Sequence, residues 1–445
     1  MSLPDDSTAY PQATHGVLVL SEVRGDTRRY RALHLVDQLR LLGIPCRFMQ
    51  MADPQVRQIA TQPWAIAVFH RVSGGREAGR ILQQLRDSKT LILADFDDLI
   101  FDVSAFPYID SPDFSDPVRM KLYKENMRNI RQMLEQCEGS LASTEFLAGR
   151  IRQEGKLAWV HRNAFSLEML AYSETARREK RPRTDGRIVI GYASGTPTHD
   201  KDFALVKPAL VEVLRRYPQT ELRLIGPLEP GNDWGALADR VSRQPLVPWR
   251  KLPELLIDLD INIAPLQVDN PFSQSKSEIK YMEAAMVEVP TIASPTEAFC
   301  LAIRSGESGI LASNTGEWVD ALSALIKNPE LRNSIARQAY VEVINKYHPA
   351  SRASQLSDTL EEISLNLSGK SFWGLERPTQ DSIHLRSEQY SNPDSWMPKS
   401  NEMAPSIIQM GMYSLRNRGV ITLMSHMWIY FRRLISPIFP FRKRK

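Results

Sequence analysis

Cysteine is scarce in this chain: Cys46, Cys137 and Cys300 are the only three in 445 residues, far apart and without CxxC spacing. That excludes a disulfide framework and argues against a structural zinc site. Charge of one sign is lacking too, since 56 Lys and Arg against 52 Asp and Glu leave a formal net charge of +4. A dedicated nucleic-acid binder would show a concentrated basic face with interleaved aromatics, so no nucleic-acid partner is expected. No uninterrupted apolar run reaches the ~20 residues that span a bilayer. The nearest approach, GVITLMSHMWIYFRRLISPIFPFRKRK from Gly419 to Lys445, is broken by His426, Arg432 and Arg433. The opening MSLPDDSTAYPQATHG is polar and does not have the pattern of a signal peptide. It reads as a disordered lead over residues 1–15, and the expected compartment is the cytoplasm.

What is present is a strand-and-helix alternation, repeated twice over. GVLVLSEVRGDTRRYRALHLVDQLRLLGIPCRFM, WAIAVFHRVSGG and KTLILADFDDLIFD each open on a short apolar run and close on charged turn residues. These predict a first doubly wound domain over 16–174. RIVIGYASGTPTHDKDFALVKPALVEVLRRYP, ELRLIGPL and LVPWRKLPELLIDLDINIAPL continue the pattern in a second domain over 187–365. The basic, proline-containing stretch 175–186 reads as a hinge between them. Two cores suit the length, which exceeds what one domain usually holds. Parallel sheets covered on both faces bind ligands at the C-terminal ends of their strands, and the polar residues cluster there.

In the second domain, FSQSKSEIKYMEAAMVEVPTIAS spaces Lys276, Lys280 and Glu283 on one stripe of a helix predicted from about Ser277, with Ile279, Met282 and Met286 on a neighbouring apolar stripe. Ser275 and Ser277 are candidate N-caps. A helix N-terminus and two ammonium groups can hold a diphosphate, and Glu283 can accept from ribose hydroxyls. A solvent-exposed helix with an ordinary Lys/Glu pair is the competing reading of that spacing. After the strand near Ile188, the small residues Ser194, Gly195 and Thr196 permit the close backbone approach that a phosphate or sugar requires. His199, Asp200, Lys201 and Asp202 crowd the following helix entrance, where either aspartate also suits a plain cap. Gly226 ends the next strand, and Val247 to Trp249 read as the edge of a base pocket. The first domain offers Arg24, Arg28 and Arg71 at its strand ends, and Asp97-Asp98 as a base, as ligands for acceptor hydroxyls, or as turn caps.

Across most of Val17 to Tyr347 the chain resembles the GT-B glycosyltransferases, particularly the large retaining family of bacterial polysaccharide and lipopolysaccharide enzymes (group 1, family 4). Asn270, Lys276, Ser277, Lys280 and Glu283 match one branch's motif, and Ser-Gly-Thr-Pro-Thr-His-Asp matches its donor-site loop. The string around Asp97-Asp98 and the Ser143 to Leu147 turn match the acceptor domain. Ser275 stands where the family pattern has its first glutamate, Glu288-Val289 where Ala-Leu-Gly is usual, and His161-Arg162-Asn163 where Pro-Asn-Gly is frequent. The resemblance implies donor contacts from Ser194, Gly195, Thr196, Lys201, Gly226, Val247, Lys276, Ser277, Lys280 and Glu283. It implies acceptor contacts from Arg24, Arg28 and Arg71, and a base at His199 or at Asp97 and Asp98. It also implies a nucleotide sugar as co-substrate, with no metal and no other cofactor. The expected reaction is glycosyl transfer to a glycan or lipid-linked acceptor in bacterial surface polysaccharide assembly. A non-catalytic GT-B subunit partnering an active transferase and a sugar-nucleotide epimerase are the rivals.

Residues 366–418 read as a polar linker, and 419–445 as an amphipathic basic tail. With Trp428, Tyr430, Phe431 and the cationic terminus Arg442 to Lys445, the tail suits in-plane anchoring on an anionic cytoplasmic membrane. A helix packed on the protein is the alternative.

Overall fold

The computed structural model describes residues 16–420 apart from 181–182, 229–230, 232, 375–376 and 391–405, and also residue 424. The first sheet comprises β1 (Val17–Ser21), β2 (Cys46–Gln50), β3 (Ile66–His70), β4 (Leu91–Phe96), β5 (Gly139–Ala142) and β6 (Leu157–Val160) in the order β2-β1-β3-β4-β5-β6. The second comprises β7 (Ile188–Ala193), β8 (Thr220–Ile225), β9 (Val241–Gln244), β10 (Ile261–Ala264), β11 (Thr291–Ala293) and β12 (Ile310–Leu311) in the order β12-β11-β10-β7-β8-β9. Every described strand pair is parallel. β1 and β3 are buried along their whole length, as strands covered on both faces by crossover helices must be. Two doubly wound domains are therefore present, as the alternation predicts.

Strand order reverses between β1 and β3 in the first sheet and between β7 and β10 in the second. The loops leaving those strands diverge there and open a crevice. In the first domain the crevice receives Asp26 and Tyr30 after β1, and Arg71 after β3; in the second it receives Ser194 to His199 after β7, and Lys276 to Glu283 beyond β10.

The chain then returns. The helix Pro349–Ser368, most of which the sequence assigns to the second domain, packs on the first: Ala350, Ala353, Leu356, Leu360 and Ile363 share a core with Val17, Leu35, Val36 and Leu39. Its apolar stripe looks the same whichever domain it covers, so sequence periodicity could not assign it. The linker reading of 366–418 also fails in part. Phe372 and Ile383 join that same core, and the helices Gln380–Gln389 and Ile407–Arg418 lie on the first domain. Apart from residues 419, 420 and 424, the amphipathic tail lies outside the described residues, as does the lead over 1–15. Among the described residues no helix is long and apolar enough to cross a membrane.

Candidate active site

The two domains enclose a cleft of about 380 Å³ lined by both. From the second domain it receives Ser194, Gly195, Thr196, His199, Val247, Lys276, Ser277, Lys280 and Glu283; from the first, Arg71, Asp97 and Asp98. Most of the predicted site residues thus meet in one place, although they come from six separate loops.

The lysine segment departs from the expected single helix. Asn270 caps a short turn, Pro271–Gln274, by accepting from the N–H groups of Phe272 and Ser273, and the helix proper is Ile279–Ala285. Neither Ser275 nor Ser277 caps it. Ser277 instead accepts from Asn163 of the first domain at 2.8 Å. Ser275 is fully buried, donates to the carbonyl of Phe272 at 2.7 Å and accepts from the backbone N–H of Leu99 at 3.3 Å. The position of the family's first glutamate is here a domain-domain contact rather than part of the cleft wall. Met282 and Met286 are buried as their stripe predicts.

The charges on the two sides of the cleft are treated differently. Arg71 closes on both Asp97 and Asp98, and Lys276 reaches across to Asp98 at 2.8 Å. These cations hold the Asp97 carboxyl well below the usual range against the opposing effect of burial, while the carboxylates raise Arg71. Arg71 takes a left-handed backbone with φ of 48°, a conformation costing an ordinary residue about 1 kcal/mol, to turn out of β3. Two carboxylates neutralised by protein cations are poor bases and poor metal ligands. Lys280 differs: its ammonium makes no hydrogen bond or ion pair among the described residues, and its nearest charge-accepting feature is the Tyr192 ring at 5.8 Å. Burial first, then Lys276, lowers its pKa.

His199 is buried, with Nδ1 2.8 Å from a carboxylate oxygen of Asp202. The Asp202 carboxylate also accepts from Gln267 and Ser273, so it is fixed, and it supports neither a plain cap nor solvent exposure. Burial, with help from Lys280, lowers His199 to about 4, so the ring is neutral at ordinary pH. A proton on Nδ1 donates to Asp202 and leaves Nε2 as an acceptor. The i, i+3 spacing of His199 and Asp202 was the available signal for this pair.

Other expectations shift. Lys201 lies outside the cleft, and its exposed ammonium sits 3.5 Å from Asp110. Gly226 does not line the cleft but lets the β7 loop close over it: at φ 97°, an added Cβ would lie 1.9 Å from the carbonyl oxygen of Ser194. Arg24 is exposed and Arg28 is buried, and neither lines the cleft. Their neighbour Tyr30 does. It stands in a buried π-helical turn, Arg29–Leu33, a distortion that redirects side chains, and its hydroxyl donates across the cleft to Glu283. Arg29 is held between the rings of Tyr30 and Trp249 at 4.3 and 4.6 Å. Burial raises Glu283 despite the opposing charge of Arg29. Tyr30 and Tyr123, both lining residues, gave no periodic signal because each depends on a distant chain segment.

Comparison with known proteins agrees with this architecture. Residues 207–358 match the model of the family described as glycosyl transferase-like. Similar solved structures include sucrose-phosphate synthase from Thermosynechococcus elongatus (13% identity, 79% of this chain and 100% of that one, TM-score 0.53). A glycosyltransferase from Rickettsia africae has 12% identity, 79% and 99% coverage and a TM-score of 0.53. HepE of Anabaena, solved with UDP and glucose, has 14% identity, 78% and 100% coverage and a TM-score of 0.52. No curated protein matches the chain significantly.

Proposed function

We propose that this chain, a member of the GT-B glycosyltransferase superfamily, transfers a sugar from a nucleoside diphosphate to a glycan or lipid-linked acceptor in bacterial surface polysaccharide assembly. One observation carries the donor reading: the ammonium of Lys280, buried in the cleft beside the Ser194–Thr196 loop, has no protein carboxylate to balance it. Burying a lone charge is costly, and a diphosphate supplies the missing partner. Lys276, Lys280 and the backbone of the loop would hold the diphosphate, Glu283 the ribose, and Val247 the base. HepE's printed complex with UDP supports a uracil nucleotide among the candidates.

In this reading His199 Nε2 removes the acceptor proton, because Asp97 and Asp98 are already committed to Arg71 and Lys276. The lysines stabilise the diphosphate as it leaves, with no metal taking part. Tyr30 and Glu283, bonded from opposite domains, latch the cleft and exclude water from the donor.

The exposed side chains of Ile408, Met412, Val420 and Met424 recur at multiples of four residues and lead into the basic tail. They support a peripheral position on the cytoplasmic membrane, where a lipid-linked acceptor resides.

Calorimetric titration of the full chain with UDP, GDP, CDP and dTDP tests the donor site. One nucleotide should bind, and Lys276→Ala should weaken it at least ten-fold while leaving the fold intact. Unchanged binding and turnover in that variant would sink the phosphate assignment. The burial of Ser275, which puts no carboxylate at that point of the cleft, favours the second reading, a non-catalytic partner. Nucleotide binding without any transfer across an acceptor panel would support it.

A further inference from the structure

Beyond Arg71 a second cavity, of about 400 Å³, opens in the first domain and shares Arg71, Ser111 and Tyr123 with the cleft. Its chemistry is unlike the donor side. Each guanidinium in its wall already has a carboxylate: Arg71 has Asp97 and Asp98, Arg119 has Asp113, and Arg418 has Glu22. Glu125 adds a further negative group. A phosphate would have to displace these carboxylates and would meet another, so an anion is disfavoured. The remaining wall is amphipathic, with the apolar side chains of Ile100, Met127 and Ile130 beside Phe114 and Tyr123. Asn126 Oδ1 and Arg119 Nε are buried there without a hydrogen-bond partner among the described residues. One accepts and one donates, and leaving both unpaired is costly. A sugar hydroxyl does both, and sugar C–H faces suit aromatic rings.

The wall is completed by the far end of the chain. Asn417 accepts from the backbone N–H groups of Glu77 and Ala78, both at 3.1 Å, and so caps the helix Arg76–Asp87 from outside. That helix has Gly75 at its N-cap, and a Cβ on Gly75 would lie 2.3 Å from the capping oxygen. The next residue, Arg418, bonds Glu22 and Ser73 and lines the cavity. This capping seats the helix Ile407–Arg418 in one register.

We infer that this cavity is a subsite for a neutral sugar residue of the acceptor, built jointly by the first domain and the C-terminal helix. It rests on the glycosyl-transfer reading and adds the acceptor's chemical class. The seated sugar lies on the far side of Arg71 from Lys280, so its free end reaches the cleft past Tyr123, which borders both cavities.

The test is saturation-transfer NMR of the full chain, saturated with UDP, against methyl glycosides of glucose, galactose, mannose and N-acetylglucosamine. Inorganic phosphate is followed in parallel by ³¹P line broadening. At least one glycoside should show contact, weakened ten-fold or more by both Asn126→Ala and Arg418→Ala, with UDP contact retained. Asn126→Ala keeps the test sharp if Arg418→Ala releases the C-terminal helix. Contact unchanged in both variants would overturn the inference, as would phosphate displacing the glycoside. So would silence from every glycoside on a protein that binds UDP. Glycoside contact without contact from any nucleoside diphosphate would leave the subsite standing and sink the transfer reading instead.

Discussion

The two domains share a doubly wound topology yet balance charge in opposite ways. On the first domain's face of the cleft, buried and half-buried cations are matched: Arg31 with Asp95, and Arg71 with Asp97 and Asp98. On the second, Lys280 is left unmatched, and Lys276 finds its partner only across the cleft. A side whose charges close within the protein suits a neutral ligand; a side that leaves an ammonium over suits an anion. The same fold thus separates acceptor from donor by electrostatic bookkeeping rather than by shape.

The sharpest way to break this comparison is Lys280→Met. Nucleoside diphosphate affinity should fall by ~3 kcal/mol, on the order of 100-fold, because a charge-assisted bond is lost. The melting temperature in the absence of nucleotide should hold or rise, since an unbalanced charge is removed. A fall in both would show that Lys280 is structural. Arg71→Ala probes the balanced side and should act in reverse. Stability should drop by roughly 2–3 kcal/mol in denaturant titration, because two carboxylates lose their main cation, while nucleotide affinity changes less. Equal effects of the two variants on binding would erase the distinction.

The smallest expected effect is on pH dependence. His199 is lowered from 6.5 to about 4, so below 6.5 the unfolded chain takes up a proton that the folded one refuses. Stability therefore falls as pH drops from about 6.5 toward about 4 and levels off below, by at most ~3 kcal/mol. His199→Gln should flatten that part of the curve. In the intact protein, kcat/KM should show no inflection near 6.5 from this group. An inflection there, absent from the variant, would show that the ring is exposed to solvent.

Much of this was legible beforehand, for identifiable reasons. Apolar runs such as Ile188 to Ile190 marked the strands, and parallel βα repeats oblige their polar turns to gather at one sheet end. That is why Ser194, His199, Lys276, Lys280 and Glu283 could be grouped before any coordinates. The pairings could not. Asp97 and Asp98 read equally as base, ligand or cap until Arg71 was seen closing on them. Ser275 read as a missing carboxylate in the site, whereas it is a buried contact to Leu99. The helix Pro349–Ser368 carried a clear stripe with no indication of which core it would join.

Local periodicity and turn chemistry, acting over a few residues, determined the two doubly wound domains and the set of strand-end loops that meet. Contacts between residues hundreds of positions apart decided the rest: Tyr30 with Glu283, Lys276 with Asp98, and Asn417 on the helix that begins at Arg76. Such contacts depend on how two cores and a returning chain pack together. Hydrophobic pattern says that a surface will be buried, and only the packed structure says against what.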